Sequence, residues 1–376
     1  MSTKSTLNLI MKATRRCNLR CAYCGDWRAT AGHTMRFPVL ARVIQSALRD
    51  YDDVHFTWHG GETTTLPIAF YKKAMLLQAR FRRSGQTITN GIQTNGTLVD
   101  ASWARFFRES RFHVGISIDG PAEIHDKTRP YAGGRPSFDH VVRGIEVLKG
   151  HDVPFGVLMV VDREVLELGA ERIFEFFLEI GVSNYSCLAV KPVARPDGGS
   201  EPLRYTDPES MSEFLCRLYD RWLRHGDPDV RISVIEDVRS RLRGEEAKTC
   251  VMAGSCFGKY FSIEPDGDVK HCDCFGDEAP LGNIGTTSLA DIARSGPVQR
   301  RIEQDERELE ALQARCPEFP LTRGGCAHER SLVARYGADD SCPCGTYHGL
   351  IAHIRARMHE EEEMLASADS ALAEAC

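Results

Sequence analysis

The residues that invite chemistry in this 376-residue chain are its fourteen cysteines, because they cluster. Cys17, Cys21 and Cys24 lie within eight residues, and Cys250, Cys256, Cys272 and Cys274 within 25. Cys316, Cys326, Cys342 and Cys344 lie within 29. Cys187 and Cys216 sit in apolar runs, where a thiol behaves as a small hydrophobe. Clustered cysteines in a reducing compartment point to metal, and cysteine-only sets favour zinc or iron–sulfur. The spacing Cys17-x3-Cys21-x2-Cys24 gives three thiolates, whereas a structural zinc site takes four protein ligands. Three thiolates leave one iron of a cubane open for an exchangeable ligand. The competing reading is a zinc site that borrows His33 or His59.

The elements that must carry these residues alternate in type. Strand-like runs at Leu7–Ala13, Val54–Trp58, Gln86–Gln93, Phe112–Ile118, Val153–Val161 and Val182–Val190 are separated by helical periods. Those periods fall at Phe37–Arg49, Ile68–Arg82, Ala101–Arg108, Phe138–Lys149 and Ala170–Ile180. Repeated β-then-α steps predict a parallel sheet with crossover helices, and six of them suit a partial barrel. The cysteine triad follows the first strand, at the mouth where such arrays place their chemistry. Residues 191–206, with Pro192, Pro196 and Pro202, read as a linker or functional loop, and Asp207–His225 as a capped helix. From Cys250 onward elements are short. Tyr260–Ile263 and Val269–His271 read as a hairpin around Gly267, in a region that needs metal staples to fold. Tyr347–Cys376 reads as an acidic helical tail.

Composition narrows the class. With 42% hydrophobic residues and a net charge of −6, the chain can build a core and is not designed to coat nucleic acid. It contains no apolar run long enough to span a bilayer and no signal peptide, so a cytoplasmic enzyme without a membrane partner is expected.

Arg16-Cys17-Asn18-Leu19-Arg20-Cys21-Ala22-Tyr23-Cys24 resembles the signature of radical S-adenosylmethionine (SAM) enzymes. His59-Gly60-Gly61-Glu62 after the second strand resembles the family's segment that holds the methionyl amino group, through Glu62 or a nearby carbonyl. Gln93-Thr94-Asn95-Gly96 and Ser117-Ile118-Asp119-Gly120-Pro121 end the next two strands, and His125-Asp126-x2-Arg129 follows. The resemblance covers roughly residues 7–190. It implies one 4Fe–4S cluster on Cys17, Cys21 and Cys24, and SAM contacts from Tyr23, Gly60, Gly61, Glu62, Gln93, Asn95, Ser117 and Arg129. It further implies one-electron cleavage of SAM to a 5′-deoxyadenosyl radical that takes a hydrogen atom from substrate. A reductant such as flavodoxin or ferredoxin is then expected.

The C-terminal half is similar to the SPASM extension, which carries auxiliary 4Fe–4S clusters. The expected architecture is α/β: a partial (β/α)6 TIM-like barrel followed by a small cysteine-rich SPASM domain with a β-hairpin and helices. The expected boundaries are 1–192, a bridge over 193–249, SPASM at 250–346 and a tail at 347–376. The resemblance assigns Cys250, Cys256, Cys272 and Cys326 to a first auxiliary cluster. The later cysteine row is broken, with Gln313 and Thr322 where cysteines would stand. A second cluster would draw on Cys316, Cys342, Cys344 and Cys274; the alternative is one zinc, or one cluster plus free thiols.

SPASM enzymes mostly modify peptides or protein side chains. Three substrate readings follow: cross-linking of a ribosomally made precursor peptide, oxidation of Cys or Ser to formylglycine in sulfatases, and small-molecule dehydrogenation. Asp273, beside Cys272, matches the base of sulfatase-maturing relatives, although an Asp there also serves as a cap or turn former. The broken cysteine row favours the cross-linking maturase. Because the first strand begins near residue 7, a leader peptide would dock on the barrel, linker or tail. A reading from another class, an electron carrier or iron–sulfur scaffold, would not need Gly60, Gly61, Glu62, Asn95 and Ser117 around an open triad.

Overall fold

The computed structural model describes residues 5–26, 33–190, 206–275, 278–336, 342 and 344–375. Most of the Pro-rich segment read as a linker, 191–205, lies outside them. The chain runs β1 (Thr6–Lys12), α1 (Phe37–Asp50), β2 (Asp53–His59), α2 (Ile68–Phe81), β3 (Thr87–Thr94), α3 (Ala101–Ser110) and β4 (His113–Ser117). It continues through α4 (Ala122–Thr128), α5 (Phe138–Gly150), β5 (Phe155–Val161), α6 (Arg163–Leu168), α7 (Ala170–Glu179), β6 (Asn184–Ala189) and α8 (Pro208–His225). Next come β7 (Arg231–Ile232), α9 (Ser233–Leu242), β8 (Tyr260–Ile263), β9 (Asp268–Lys270) and β10 (Gly282–Asn283). The chain then closes with α10 (Leu289–Ala293), α11 (Gly296–Arg315), α12 (Phe319–Thr322), α13 (Ala327–Tyr336) and α14 (Gly345–Ala375). The α/β class and the six leading strands agree with the sequence pattern. The short helices α4 and α6 were not legible in it.

Two compact units emerge, Met1–Val160 with Ser255–Glu308, and Val161–Gly254 with Leu309–Cys376. In the first, the strand order is β10-β9-β8-β1-β2-β3-β4-β5. Strands β1 to β5 pair in parallel with their neighbours. The predicted hairpin, β8 and β9, exists, and β8 lies parallel to β1, with Asn8 opposite Tyr260. The cysteine-rich segment thus extends the same sheet that carries the triad.

Burial explains this unit. Leu7, Leu9 and Met11 of β1 and Val54, Phe56 and Trp58 of β2 are all buried. The α1 stripe Leu40, Val43, Ile44, Ala47 and Leu48 is buried at helical spacing. Asp100 caps α3 by accepting from the Ser102 and Trp103 amides. Tyr71 lies edge-on to Trp58, Trp103 and Phe112, with ring centroids 5.4, 5.6 and 6.3 Å away. Each such ring contributes about 1.5–3 kcal/mol by burial. The Tyr71 hydroxyl donates to the Thr63 carbonyl at 2.8 Å, which ties this aromatic core to the turn after Glu62.

In the second unit, β6 and β7 pair in parallel. Asp207 caps α8 through the Ser210 amide, with Pro208 in the first turn. Along α14, Tyr347, Leu350, Ile351 and Ile354 are buried. His353 and Arg357 of α14 reach Asp220 of α8 at 2.8 and 3.2 Å. Among the described residues no helix is long and apolar enough to cross a membrane.

Candidate active site

The triad loop leaves β1 and is pinned by backbone bonds on both sides. The Arg20 amide donates to Pro130 and the Ala22 amide to Thr128, each at 2.8 Å, and the Ala132 amide donates to Asn18 at 3.0 Å. Leu19 is buried and bridges to Tyr131. Burial and then the Glu62 charge push the Cys17 thiol up to about 12. Burial pushes Cys21 up to about 11, with Arg129 opposing. These are thiols that ionise only against a cation, which suits them to a cluster. Among the described residues, the groups of three or more donors lying within 4.8 Å of one another do not include this triad. Ligands to the different irons of one cubane need not meet that criterion, because they do not close on a single centre.

The glycines of His59-Gly60-Gly61-Glu62 are required by close approach. A Cβ on Gly61 would stand 2.3 Å from the Arg16 carbonyl, and one on Gly60 2.8 Å from the Lys12 side chain; both glycines have positive φ. The Glu62 amide donates to the Arg16 carbonyl at 2.7 Å. The Glu62 carboxylate is buried and engaged. Oε1 accepts from the Thr64 amide and from the Thr64 and Thr94 hydroxyls, and Oε2 from the Asn95 amide at 2.7 Å. It fastens the end of β3 to the end of β2.

The strand-end residues named from the sequence form a linked network. Gln93 Nε2 donates to Ser117 Oγ at 2.9 Å, across Gly115, which has no side chain to block it. Asn95 donates to Asn18 Oδ1 at 2.9 Å, Asn18 to Thr97 Oγ1 at 2.8 Å, and Thr97 back to Asn95 at 2.7 Å. Arg129 is buried, lies 3.9 Å from Cys21 Sγ, and stacks over Tyr23 at 5.3 Å.

Behind Arg129 stands Asp119, which sequence reasoning quoted only as part of a strand end. It is fully buried and accepts from Arg129 Nε at 2.8 Å, Tyr23 Oη at 2.5 Å and Thr128 Oγ1 at 2.9 Å. Burial alone would raise its pKa, but Arg129 holds it below the usual carboxylate range. His125 accepts from the Asp119 amide, and its other nitrogen meets Ser137 Oγ at 3.0 Å. Burial lowers its pKa to about 4, so it is neutral.

Asp273 follows β9 in a short 3-10 turn and pairs with Lys12, the last residue of β1. Lys12 also meets Asp26 at 2.8 Å, and His59 Nδ1 lies 3.6 Å from Asp273. Arg15 bridges Asp26 and Glu264, with Nε 2.8 Å from the latter. Burial opposes ionisation of Asp273, yet Lys12 and then His59 hold its pKa below the ordinary value. Its side chain is 26% exposed against 4% for Lys12, so the carboxylate is charged and reachable. Asp273 is here one pole of a buried charge network; the turn-former reading leaves that network out.

The remaining cysteines divide. Cys256, Cys272 and exposed Cys274 belong to the first unit; exposed Cys250 and Cys326 belong to the second. Also in the second unit, Cys316, Cys342 and Cys344 converge with His348, every donor within 4.8 Å of the others. Cys274 is not in that group, and His348 was not read from the sequence. Its signal was there, since Cys344 and His348 stand four apart at the start of a helix.

Residues 11–176 match the radical SAM superfamily, and residues 255–317 match the SPASM iron–sulfur cluster-binding domain. A serine-type anaerobic sulfatase-maturating enzyme of Bacteroides thetaiotaomicron is 34% identical over 80% of this chain and 77% of its own. A cysteine-type enzyme of Clostridium novyi is 29% identical over 92% and 94%. The solved structure of anSMEcpe with bound AdoMet and Cp18Cys peptide superposes with a TM-score of 0.81 at 28% identity, covering 94% of this chain and 98% of that one. The chain is therefore a radical SAM enzyme that uses SAM and iron–sulfur clusters, and it belongs to the family of the anaerobic sulfatase-maturating enzymes.

Proposed function

We propose that this enzyme oxidises a Cys or Ser side chain of a peptide substrate to formylglycine. The broken cysteine row had favoured a cross-linking maturase; the similarity to both serine-type and cysteine-type sulfatase-maturating enzymes supports the other reading. The observation that carries it in this chain is Asp273, a partly exposed carboxylate kept ionised by Lys12 beside His59.

Taking a two-electron oxidation state from a side-chain CH2 requires loss of a hydrogen atom, a proton and an electron. The radical SAM cluster with SAM would supply the hydrogen-atom abstraction, and an auxiliary iron–sulfur cluster would accept the electron; with a Cys substrate, water would then replace the sulfur, which leaves as sulfide. Asp273 supplies the acceptor for the hydroxyl or thiol proton. Lys12 is buried and cannot leave, so it fixes the orientation of that carboxylate; Asp26 holds Lys12, and Arg15, braced by Glu264, holds Asp26. Gly60 and Gly61, free of side chains, would let the backbone after β2 approach SAM. Gln93, Asn95, Ser117 and Arg129 present donors along the strand ends, and Tyr23 orients Arg129. A one-electron donor such as flavodoxin or ferredoxin completes the system.

The test is anaerobic. Reconstituted enzyme, reductant and SAM are incubated with a sulfatase-motif peptide carrying Cys or Ser. Stimulated 5′-deoxyadenosine formation, with an aldehyde in the peptide product, is expected for at least one of the two. If neither peptide stimulates cleavage while basal cleavage persists, the formylglycine reading is wrong and the search moves to a dedicated precursor peptide.

A further inference from the structure

The second-unit quartet is arranged around a point. Cys316 Sγ lies 3.5 Å from Cys344 Sγ and 3.7 Å from Cys342 Sγ, and Cys342 lies 3.1 Å from Cys344. His348 Nε2 lies 3.3, 3.5 and 3.2 Å from Cys316, Cys342 and Cys344. A tetrahedral zinc ion with sulfur at 2.3 Å and nitrogen at 2.0–2.1 Å sets its ligands about 3.5–3.8 Å apart. The six separations, 3.1 to 3.7 Å, lie within that range or a few tenths of an ångström below it, close enough for all four donors to meet one ion. In a 4Fe–4S cubane each cysteine binds a different iron, so four donors cannot close on one centre.

We propose that Cys316, Cys342, Cys344 and His348 hold one mononuclear zinc ion, in place of a second auxiliary iron–sulfur cluster. Three thiolates and one imidazole make a closed structural set, with no position left for substrate. The local backbone is shaped for it. The Cys316 amide donates to Leu312 at the end of α11, and the Gly345 and Tyr347 amides return to the Cys342 and Cys344 carbonyls at 2.9 Å. Cys344 immediately precedes α14, and His348, four residues on, lies in its first turn. The ion staples the end of α11 to Cys342, Cys344 and the start of α14. It also accounts for Gln313 and Thr322: a site completed by a CxC pair and a histidine has no use for cysteines there. This proposal is independent of the peptide substrate.

The full-length enzyme, purified and reconstituted anaerobically, is analysed for zinc and iron and by zinc-edge X-ray absorption. The expected result is one tightly held zinc per chain with a shell of three sulfurs and one nitrogen. The Cys342→Ser/Cys344→Ser variant is expected to lose that zinc and keep the wild-type iron content. His348→Cys is expected to retain zinc with four sulfurs. Wild-type protein without stoichiometric zinc overturns the proposal, as does a zinc shell lacking sulfur. Loss of a cluster's worth of iron in the double variant also overturns it. The wild-type spectrum decides the matter even if the variants fold poorly.

Discussion

Two sets of thiols in this chain differ in a way that their sequence spacing conceals. Cys17, Cys21 and Cys24 lie within eight residues, yet their sulfurs do not gather into a tight group. Cys316 and His348 are 32 positions apart, yet with Cys342 and Cys344 they converge to within 3.7 Å. The first set is held from outside, by amide bonds to residues 128–132 and by Asn18 in its ring with Asn95 and Thr97. The second holds itself, through whatever its donors bind. An open catalytic centre needs a frame independent of its ligands, because one coordination position must exchange. A closed structural centre needs no frame, because the ion supplies it.

The largest effects test that contrast directly. The Cys17→Ala/Cys21→Ala/Cys24→Ala variant is expected to form no 5′-deoxyadenosine, while the metal-free protein keeps its thermal midpoint. The Cys342→Ser/Cys344→Ser variant is expected to lower the midpoint of the zinc-loaded protein. If the triad variant lowers the midpoint as much, the frame argument fails. Asp273→Asn comes next. Removing a positioned proton acceptor costs roughly 10²–10⁴-fold in turnover. Peptide oxidation should fall by that factor while SAM cleavage continues, since the acceptor acts on substrate. A proportional fall in both would make Asp273 a structural member of the Lys12 network only.

What was legible in the sequence follows the same division. The triad, the Gly-Gly-Glu turn and the strand ends could be read because each is a short contiguous motif at the end of a regular strand. Period-2 and period-3.6 patterns located β1 to β6 for the same reason. Asp119 was quoted but not weighed, since its importance lies in three donors contributed by Tyr23, Thr128 and Arg129, which no spacing reveals. His348 was not legible because a ligand on a helix looks like any solvated histidine until Cys316, just past α11, comes beside it. Lys12 carries no signal of its own within the strand run, because its partner Asp273 is 261 residues away. Local chemistry was visible, and convergence was not.

The frame around the triad should also respond to pH. His125 is buried, with its pKa lowered by that burial to about 4 from an ordinary 6.5. As pH falls below 6.5 the unfolded chain takes up a proton that the folded chain refuses, so stability drops until pH 4 and is flat above 6.5. The size is roughly 3 kcal/mol, at 1.36 kcal/mol per unit. Urea denaturation of the wild type and of His125→Gln, at pH 7 and 4.5, measures it. Between those two pH values about 2.4 kcal/mol of it is lost, and the variant should lose about that much of the difference. An unchanged difference would mean that His125 is protonated in the fold and supports Asp119 differently.

The smallest expected effect is the most local. In Glu62→Gln the shape is kept, but one carboxylate oxygen becomes an NH2 group. The carboxylate serves four donors, and an amide oriented to keep the three on Oε1 turns its NH2 toward the Asn95 amide. Two donors then face each other in a buried place, which costs about 1–3 kcal/mol. The loss falls at the end of β3, where Asn95 meets Asn18 of the triad loop. Amide exchange should therefore quicken at Asn95 and Thr97 and leave α14 untouched. Quickening throughout the first unit would instead show that Glu62 supports the whole sheet, and that the frame of the open site is not separable from its core.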